Sequence, residues 1–371
     1  MLAIILLLVC IGSVMVFSAS YAYALANFGD SRYFINKQII YVVIGLAAMA
    51  GASLVSHKLM KKLTIAIYIA ALALLGVVLV IGVAEGEAKR WIDIGGFTFQ
   101  PSEIMKLALV MMLAYYFDKN YRKVNIGGHF WKSTWYSIIL PAVFLALACG
   151  LIMLENHLSG TIIVGLIGLS VIWAGGGKWQ WFLIFLCVVV LVLFAVYNFS
   201  DEIFSVFPDY VQRRVDMWLN PENYDVQDDT WQTVQGMIAV GSGGFLGRGL
   251  GNSLQKHLFV SQPQNDFIFA IVCEELGFVG AVGVILLFVV FIWRGLYIAK
   301  RAPDLFSALT VFGIVAHVAI QAFLNIAVVT ALIPNTGISL PFFSYGGTSL
   351  VLLMAEMGII LSISKYSKIQ K

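Results

Sequence analysis

The chain has 371 residues, of which 60% are hydrophobic and only 12% are charged, and its formal net charge is +3. Soluble domains are about 45–50% apolar and about 25% charged, so this composition excludes a water-soluble fold. The charge is nearly balanced and forms no basic run of the kind that indicates binding to nucleic acid.

Apolar stretches long enough to cross a bilayer recur along the whole chain. A hydrocarbon core needs about 20 apolar residues per helix. Such stretches lie at 1–24, 39–55, 64–84, 101–117, 135–153, 159–176, 179–198, 267–293, 305–333 and 346–364. The sequence therefore predicts an all-α polytopic integral membrane protein of about ten transmembrane helices, with residues 1–371 forming a single membrane domain.

Lysine and arginine are concentrated in every second loop, and this pattern gives the orientation. Short cytoplasmic loops carry the excess of these residues. The basic segments are 58–62, 119–132, 294–301 and 365–371. Both termini are therefore expected in the cytoplasm, and residues 199–265 form a large extracytoplasmic loop between spans seven and eight. Loops of this length usually have a function or structure of their own, and we expect short interfacial helices around Tyr210–Trp218 and Trp231–Val240.

Asp266 lies where this long loop meets the eighth span. Asp and Asn are preferred helix N-caps, and capping is the simplest interpretation of the position alone. A carboxylate at the membrane surface is also suited to act as a general base. Both interpretations can hold for the same side chain.

Two adjacent acids, Glu274 and Glu275, lie about 12 Å further along the eighth span at 1.5 Å per residue. Ionisable groups inside a membrane are costly, so each should face the protein interior or a wet cavity. Adjacent helical residues point about 100° apart. We therefore expect the two carboxylates to have different surroundings, and one of them to be structural.

The fourth span begins with Pro101 and continues through Glu103 and Lys106. Proline at the first helical position and an acid in the first turn favour a helix start here. Residues three apart on a helix can pair. The pair is either a structural ion pair or part of a charged cavity wall that Lys89 and Arg90, just outside the span, would extend.

A glycine-rich run at 241–251 surrounds Arg248. It lacks the lysine ending and the strand–helix context of a P-loop. Its backbone N–H groups and Arg248 are candidates to cradle a diphosphate; the alternative is a flexible loop that re-enters the membrane. Residues 333–349 also form an irregular segment at a membrane edge, which persists only where it is buried in protein or lines a cavity.

Isolated polar residues also lie inside or beside the predicted spans. They are His157, His317, Asn325 and Glu356. Each is interpreted as a satisfied packing contact rather than as a ligand. The sequence has no Cys/His cluster with the spacing of a structural zinc site.

Four stretches of the chain together resemble the shape, elongation, division and sporulation (SEDS) family. The stretches are 89–106, 247–256, 265–277 and 340–347. Their order matches over nearly the whole chain, and the last one resembles the division and sporulation branch (FtsW and SpoVE) more than RodA. The resemblance implies a peptidoglycan glycosyltransferase, which polymerises lipid II on the outer face of the cytoplasmic membrane and releases undecaprenyl diphosphate.

The family's key aspartate falls on Asp266, which favours the general-base hypothesis over capping. The candidate substrate-binding residues are Arg90, Glu103, Lys106, Arg248, Lys256, Glu274, Glu275 and Ser344. Family members often carry Pro-Glu shortly before the aspartate, whereas this chain has Ser261 and Gln262. Asp228 and Asp229 are the conceivable substitutes for the lost carboxylate.

In the expected reaction, Asp266 removes the proton of an acceptor 4-hydroxyl while cations neutralise the departing diphosphate. Arg90, Lys106 and Arg248 are the candidate cations. A divalent metal ion, Mg²⁺ or Mn²⁺, is a candidate cofactor, its ligands are unknown, and no organic cofactor is expected.

The expected partners are lipid II, the nascent glycan strand, membrane lipid, a cognate class B penicillin-binding transpeptidase and other divisome proteins. The expected location is the bacterial cytoplasmic membrane at the division septum. Two alternatives remain: a lipid II flippase, which would need a polar path through to the inner face, and a non-catalytic scaffold that activates the transpeptidase.

Overall fold

The computed structural model describes residues 1–85, 88–94, 97–124, 130–198, 209–219 and 229–367. It begins with three helices and three short strands. The helices are α1 Leu2–Phe28, α2 Tyr33–Leu54 and α3 His57–Ile81. The strands are β1 Val83–Glu85, β2 Ala88–Ile94 and β3 Phe97–Phe99, which form an antiparallel sheet in the order β1-β2-β3. This sheet was missed by the all-α prediction, which treated the region as a loop between two spans.

The rest of the described chain is helical. The helices are α4 Pro101–Val124, α5 Phe130–Leu154 with a π-helical stretch at Trp135–Ile139, α6 Leu158–Ala174, α7 Trp179–Asn198, α8 Asp209–Leu219, α9 Asp229–Ser242, α10 Ile268–Lys300, α11 Leu305–Val329 and α12 Gly347–Lys365. Helices α8 and α9 confirm the two short helices predicted inside the long loop 199–265. The side chain of Trp218 in α8 donates to the carbonyl of Ala331 beside the end of α11, at 2.9 Å.

Among the described residues, seven helices are long and apolar enough to cross a membrane: α1, α2, α3, α5, α10, α11 and α12. This confirms a largely helical, multi-pass membrane protein. Helices α4, α6 and α7 coincide with the other three predicted stretches. The total of ten spans and the outer position of the long loop stay predictions.

Close helix packing brings the functional segments together in the middle of the bundle. Helix α12 packs along α2, and α11 contacts α4, α6 and α10. At Gly12 of α1, a Cβ atom would lie 2.2 Å from the carbonyl oxygen of Phe342, so only glycine allows the segment before α12 to approach this closely. Large apolar side chains such as Ile39 and Val43 are exposed on the outside of the bundle, as expected for surfaces that face lipid.

Candidate functional site

Asp266 lies in the turn that leads into α10. The N-cap of this helix is Phe267, so the interpretation of Asp266 as the cap was wrong by one residue. The backbone of Asp266 is held by Asn325 of α11, whose side-chain amide donates to the carbonyl oxygens of Asp266 and Ile338, both at 2.7 Å. One buried amide therefore fixes Asp266 relative to the segment before α12.

Ser344 fixes the same two segments a few residues further along. Its hydroxyl donates to the carbonyl oxygen of Asn265 at 2.6 Å and accepts from the backbone N–H of Leu340 at 2.7 Å. The N–H of Tyr345 donates to the carbonyl of Gln264 at 2.8 Å. These bonds anchor the loop beside Asp266, and the substrate-binding role predicted for Ser344 stays a prediction.

A cavity of about 290 Å³ opens beside Asp266. Its lining residues are Gln232, Ser261, Gln262, Asn265, Asp266, Gly337 and Ser339. The lining is rich in amides and hydroxyls, and among its described residues only Asp266 carries a charge. The volume is near the lower end of the range for small-molecule sites, about 300–1,000 Å³. The half-buried carboxylate thus faces a polar space that a ligand can enter.

The departure from the family pattern lies on the wall of this cavity. Ser261 and Gln262 both line it, and the side-chain oxygen of Gln262 accepts from the amide of Asn265 at 2.6 Å. Of the suggested substitutes for the missing carboxylate, Asp228 lies outside the described residues, as does the side chain of Asp229. The wall has amide and hydroxyl groups where the resemblance led us to expect an acid.

The predicted pair of Glu103 and Lys106 is confirmed. The ammonium of Lys106 lies 2.7 Å from a carboxylate oxygen of Glu103, and Lys106 is buried. Glu103 lines a second, smaller cavity together with Ser339 and Ser344. Because Ser339 also lines the cavity of Asp266, the charged pair and the aspartate are on two sides of one loop.

Glu274 and Glu275 are fully buried and contact the same chain segment. Glu274 accepts from the hydroxyl of Ser253 at 2.5 Å and from the N–H of Leu254 at 2.9 Å. Glu275 lies 2.8 Å from the ammonium of buried Lys256. Their main partners differ, as expected, since Glu275 also accepts from Ser18 of α1. The loop 248–256 nevertheless wraps around α10 and meets both carboxylates.

A break in α10 explains why the glycine-rich run packs there. Gly277 has φ 67° and interrupts the helix, and the loop satisfies the backbone groups that this frees. The N–H groups of Arg248 and Gly249 donate to the carbonyls of Glu274 and Glu275, both at 3.0 Å. The N–H groups of 278 and 279 donate in return to the carbonyls of 244 and 245.

This exchange changes the interpretation of the glycine-rich run. A cradle for a diphosphate would need free N–H groups, but those of Gly247, Arg248 and Gly249 already donate to protein carbonyls. The predicted backbone cradle was therefore wrong for these residues. The side chain of Arg248 is 36% exposed and lies 3.7 Å from a carboxylate oxygen of Glu274, so its guanidinium can still reach an anion.

Arg90 on β2 reaches the turn between α5 and α6. Its guanidinium donates to the carbonyl oxygen of Asn156 at 2.5 Å. Burial raises the pKa of neighbouring Glu155 to about 8, against the opposing charge of Arg90. Burial, then the charges of Arg90 and Lys106, lower the pKa of His157 to about 3. The charge of Arg90 therefore acts on both Glu155 and His157, and the charge of Lys106 acts on His157.

The sequence did not single out Ser339, Gln321 or Glu155 as site residues. Ser339 and Gln321 are joined by two hydrogen bonds at 3.0 Å. A signal was present for Gln321, because His317, Gln321 and Asn325 recur every four residues on α11 and so lie on one face. Among the residues that the structure describes, no group of three or more His, Cys, Asp or Glu side chains is arranged to hold a metal ion.

Comparison with known proteins places the chain in a family. Residues 1–369 match the family described as cell cycle protein FtsW, RodA and SpoVE. Stage V sporulation protein E of Bacillus subtilis (strain 168) is 37% identical over 98% of this chain and 95% of the relative. A probable peptidoglycan glycosyltransferase FtsW of Geobacter metallireducens is 36% identical over 97% of this chain and 92% of the relative.

Two solved structures share the fold. One, described as "Structural coordination of polymerization and crosslinking by a peptidoglycan synthase complex", has a TM-score of 0.79 at 25% identity and covers 98% of this chain and 96% of that chain. Thermus thermophilus RodA has a TM-score of 0.70 at 24% identity and covers 100% of this chain and 97% of that chain. The chain belongs to the FtsW, RodA and SpoVE family of cell cycle proteins.

Proposed function

We propose that the chain polymerises lipid II into glycan strands on the outer face of the cytoplasmic membrane, with Asp266 as the general base. The chain is a peptidoglycan glycosyltransferase of cell division or cell shape. Relatives at 34–36% identity carry the name "Probable peptidoglycan glycosyltransferase FtsW". One observation carries the assignment of the base: Asp266 is the only charged side chain among the described residues that line the polar cavity.

The reaction is a single displacement at the anomeric carbon of the donor sugar. Asp266 takes the proton of the acceptor hydroxyl, and the resulting oxygen nucleophile attacks the anomeric carbon. The bond from that carbon to the lipid diphosphate breaks, and the diphosphate leaves with the electron pair. One displacement inverts the configuration, so an α-linked donor gives a β-glycosidic bond.

The leaving diphosphate needs positive charge, since preorganised cations stabilise charge that develops in the transition state. Arg90, Lys106 and Arg248 are the proposed cations. Lys106 is partly neutralised by Glu103 at 2.7 Å, whereas the side chain of Arg248 is partly exposed. A divalent cation, Mg²⁺ or Mn²⁺, fits as a companion of the diphosphate, because Mg²⁺ is commonly held by substrate phosphates and only one or two carboxylates.

The proposal includes the arrangement of the chain in the membrane and its assembly. Ten spans with both termini in the cytoplasm would place residues 199–265, and with them Asp266, on the outer side. A class B penicillin-binding transpeptidase is the proposed partner, supported by the similar fold of a chain from a peptidoglycan synthase complex. Other divisome proteins and a septal location complete this part of the proposal.

One observation favours a lipid II flippase as the second candidate. A chain of buried polar contacts extends from Ser339 through Gln321 to His317 and on to Glu356. His317 is 12 residues from each end of α11, which places it about 18 Å from either end at 1.5 Å per residue. Such a polar series in the bundle interior is what a transbilayer path would require.

The deciding experiment measures glycan chain length with purified protein and purified lipid II, with and without the transpeptidase and Mg²⁺. Wild type should give long strands, and Asp266→Asn should give none within the same reaction time. Asp30→Asn is the matched control, because it makes the same substitution at an exposed aspartate that is not among the residues lining the cavity. Strands from Asp266→Asn at close to the wild-type rate would contradict the base assignment. Transbilayer movement of labelled lipid II without any strands from wild type would favour the flippase.

A further inference from the structure

Gln321 of α11 joins the cavity of Asp266 to the buried charges behind it. Its side-chain nitrogen lies 3.0 Å from both the carbonyl oxygen and the hydroxyl of Ser339. Its side-chain oxygen lies 3.2 Å from the ammonium of Lys106 and 2.9 Å from Nε2 of His317. A carbonyl oxygen only accepts and an ammonium only donates, so these partners fix which way the amide points.

The fixed amide determines what the hydroxyl of Ser339 can do. A serine hydroxyl has one donor and two acceptor positions. Gln321 donates to this hydroxyl and presents its own acceptor oxygen to Lys106, away from Ser339. The O–H of Ser339 is therefore left to donate to another group, and Ser339 lines the cavity that holds Asp266.

We infer that Ser339 donates a hydrogen bond to the acceptor saccharide in the cavity of Asp266, and that Gln321 is the positioning residue that aims it. This inference rests on the proposed function. The cavity lining favours a neutral sugar over the diphosphate, because its described residues carry one negative carboxylate and otherwise only amides, hydroxyls and a glycine. A hydroxyl donor suits the hydroxyl and acetamido oxygens of an N-acetylated sugar.

Buried partners keep Gln321 in place. Lys106 is held by Glu103 at 2.7 Å, and Nδ1 of His317 lies 2.9 Å from a carboxylate oxygen of Glu356. Lys106, His317, Gln321 and Glu356 are all buried. Rotating the amide would leave buried donors facing donors, and unsatisfied buried groups destabilise a folded protein. The donor side of Gln321 therefore stays towards Ser339.

The test compares kcat/KM for polymerisation in three variants. Ser339→Ala should lower kcat/KM about tenfold, the size expected for one lost hydrogen bond in the transition state. It keeps the backbone carbonyl that Gln321 also holds, so the loop should stay in place. Ser339→Thr keeps a hydroxyl and should retain most of the activity. Gln321→Met should also lower kcat/KM. In the double variant with Ser339→Ala, the fall in kcat/KM should be smaller than the product of the two single effects.

Controls separate this role from folding and from the proposed function. Ser170→Ala removes a hydroxyl that is satisfied within α6, by the carbonyl of Ile167 at 2.7 Å, and should match wild type. Thermal unfolding of Ser339→Ala should also match wild type. Unchanged kcat/KM in Ser339→Ala, or a threonine variant as weak as the alanine variant, would overturn the inference. Near-wild-type activity in Asp266→Asn would instead refute the proposed base, independently of the kcat/KM values of the Ser339 variants.

Discussion

The acid just before α10 and the two acids inside that helix have opposite surroundings. Asp266, just before α10, is half-buried beside a cavity of about 290 Å³. Glu274 and Glu275, two turns further along, are fully buried and accept hydrogen bonds from Ser253 and Lys256. Buried charges persist in proteins only when they are paired and hydrogen-bonded. The two glutamates are therefore held by partners in the protein interior, whereas Asp266 lies where a ligand can reach it.

The largest expected effect comes from the single acid. Asp266→Asn should lower polymerisation by about 10²–10⁴-fold, the range attributed to general acid–base catalysis. The folded protein should persist, because the substitution keeps the size of the side chain and the backbone carbonyl that Asn325 holds. Initial rates and thermal unfolding of the same purified sample check both parts. If the rate falls only in proportion to the amount of folded protein, Asp266 acts on stability and its assignment as the base is contradicted.

The ion pair at Lys256 should show the reverse pattern. Lys256 lies 2.8 Å from Glu275, and both are buried. Lys256→Met leaves an unpaired buried carboxylate, which costs about 3–5 kcal/mol. Adding Glu275→Gln should recover part of that loss, because the uncompensated charge is removed. Rates per folded molecule should stay near wild type; a selective fall in rate would favour the predicted substrate-binding role of this pair.

The broken helix offers a third comparison, at the level of backbone conformation. Gly277 has φ 67°, and a Cβ there would lie 2.1 Å from the backbone nitrogen of Gly247. Backbone strain in Gly277→Ala should therefore destabilise the protein by about 1–3 kcal/mol, and the clash with Gly247 should add to this. Gly283→Ala, in the same helix with no atom within 4 Å of its Cβ, is the control. Equal stability of the two variants would contradict the packing of the glycine-rich run.

Local patterns of the sequence predicted much of this arrangement. Apolar stretches located the helices, and the i, i+3 spacing predicted the pair of Glu103 and Lys106. The sequence also placed Asp266 at the start of the eighth predicted span. The residues that share these features lie close in sequence, so helix geometry alone determines their contacts.

Contacts between distant segments could not be predicted in this way. Ser18 of α1 donates to Glu275 at 2.6 and 2.7 Å across 257 residues of sequence, and Gln321 meets Lys106 across 215. The break at Gly277 was not foreseen, because an isolated glycine in an apolar helix is compatible with a continuous helix. The break lets the segment from Arg248 to Lys256 pack against α10, where it supplies partners to both glutamates.

Glu155 provides the last and smallest test, because it is buried like the glutamate pair but lacks their partners. Among the described residues, neither carboxylate oxygen of Glu155 has a hydrogen-bond partner, and burial raises its pKa from 4.5 to about 8. The unfolded chain ionises near pH 4.5 while the folded protein stays protonated. The stability that protonated Glu155 contributes is therefore complete below pH 4.5 and is lost as the pH rises towards 8.

Glu155→Gln cannot ionise and should remove this dependence. Relative to wild type, the variant should gain at least about 1 kcal/mol between pH 5 and pH 8, since one pKa unit is worth about 1.4 kcal/mol. Arg90→Gln should steepen the wild-type dependence, because the charge of Arg90 opposes the effect of burial. Unfolding in detergent across this pH range measures both. If stability depends on pH equally in wild type and in Glu155→Gln, the prediction is contradicted. Glu155 would then be stabilised in its charged form by a partner, as Glu274 and Glu275 are.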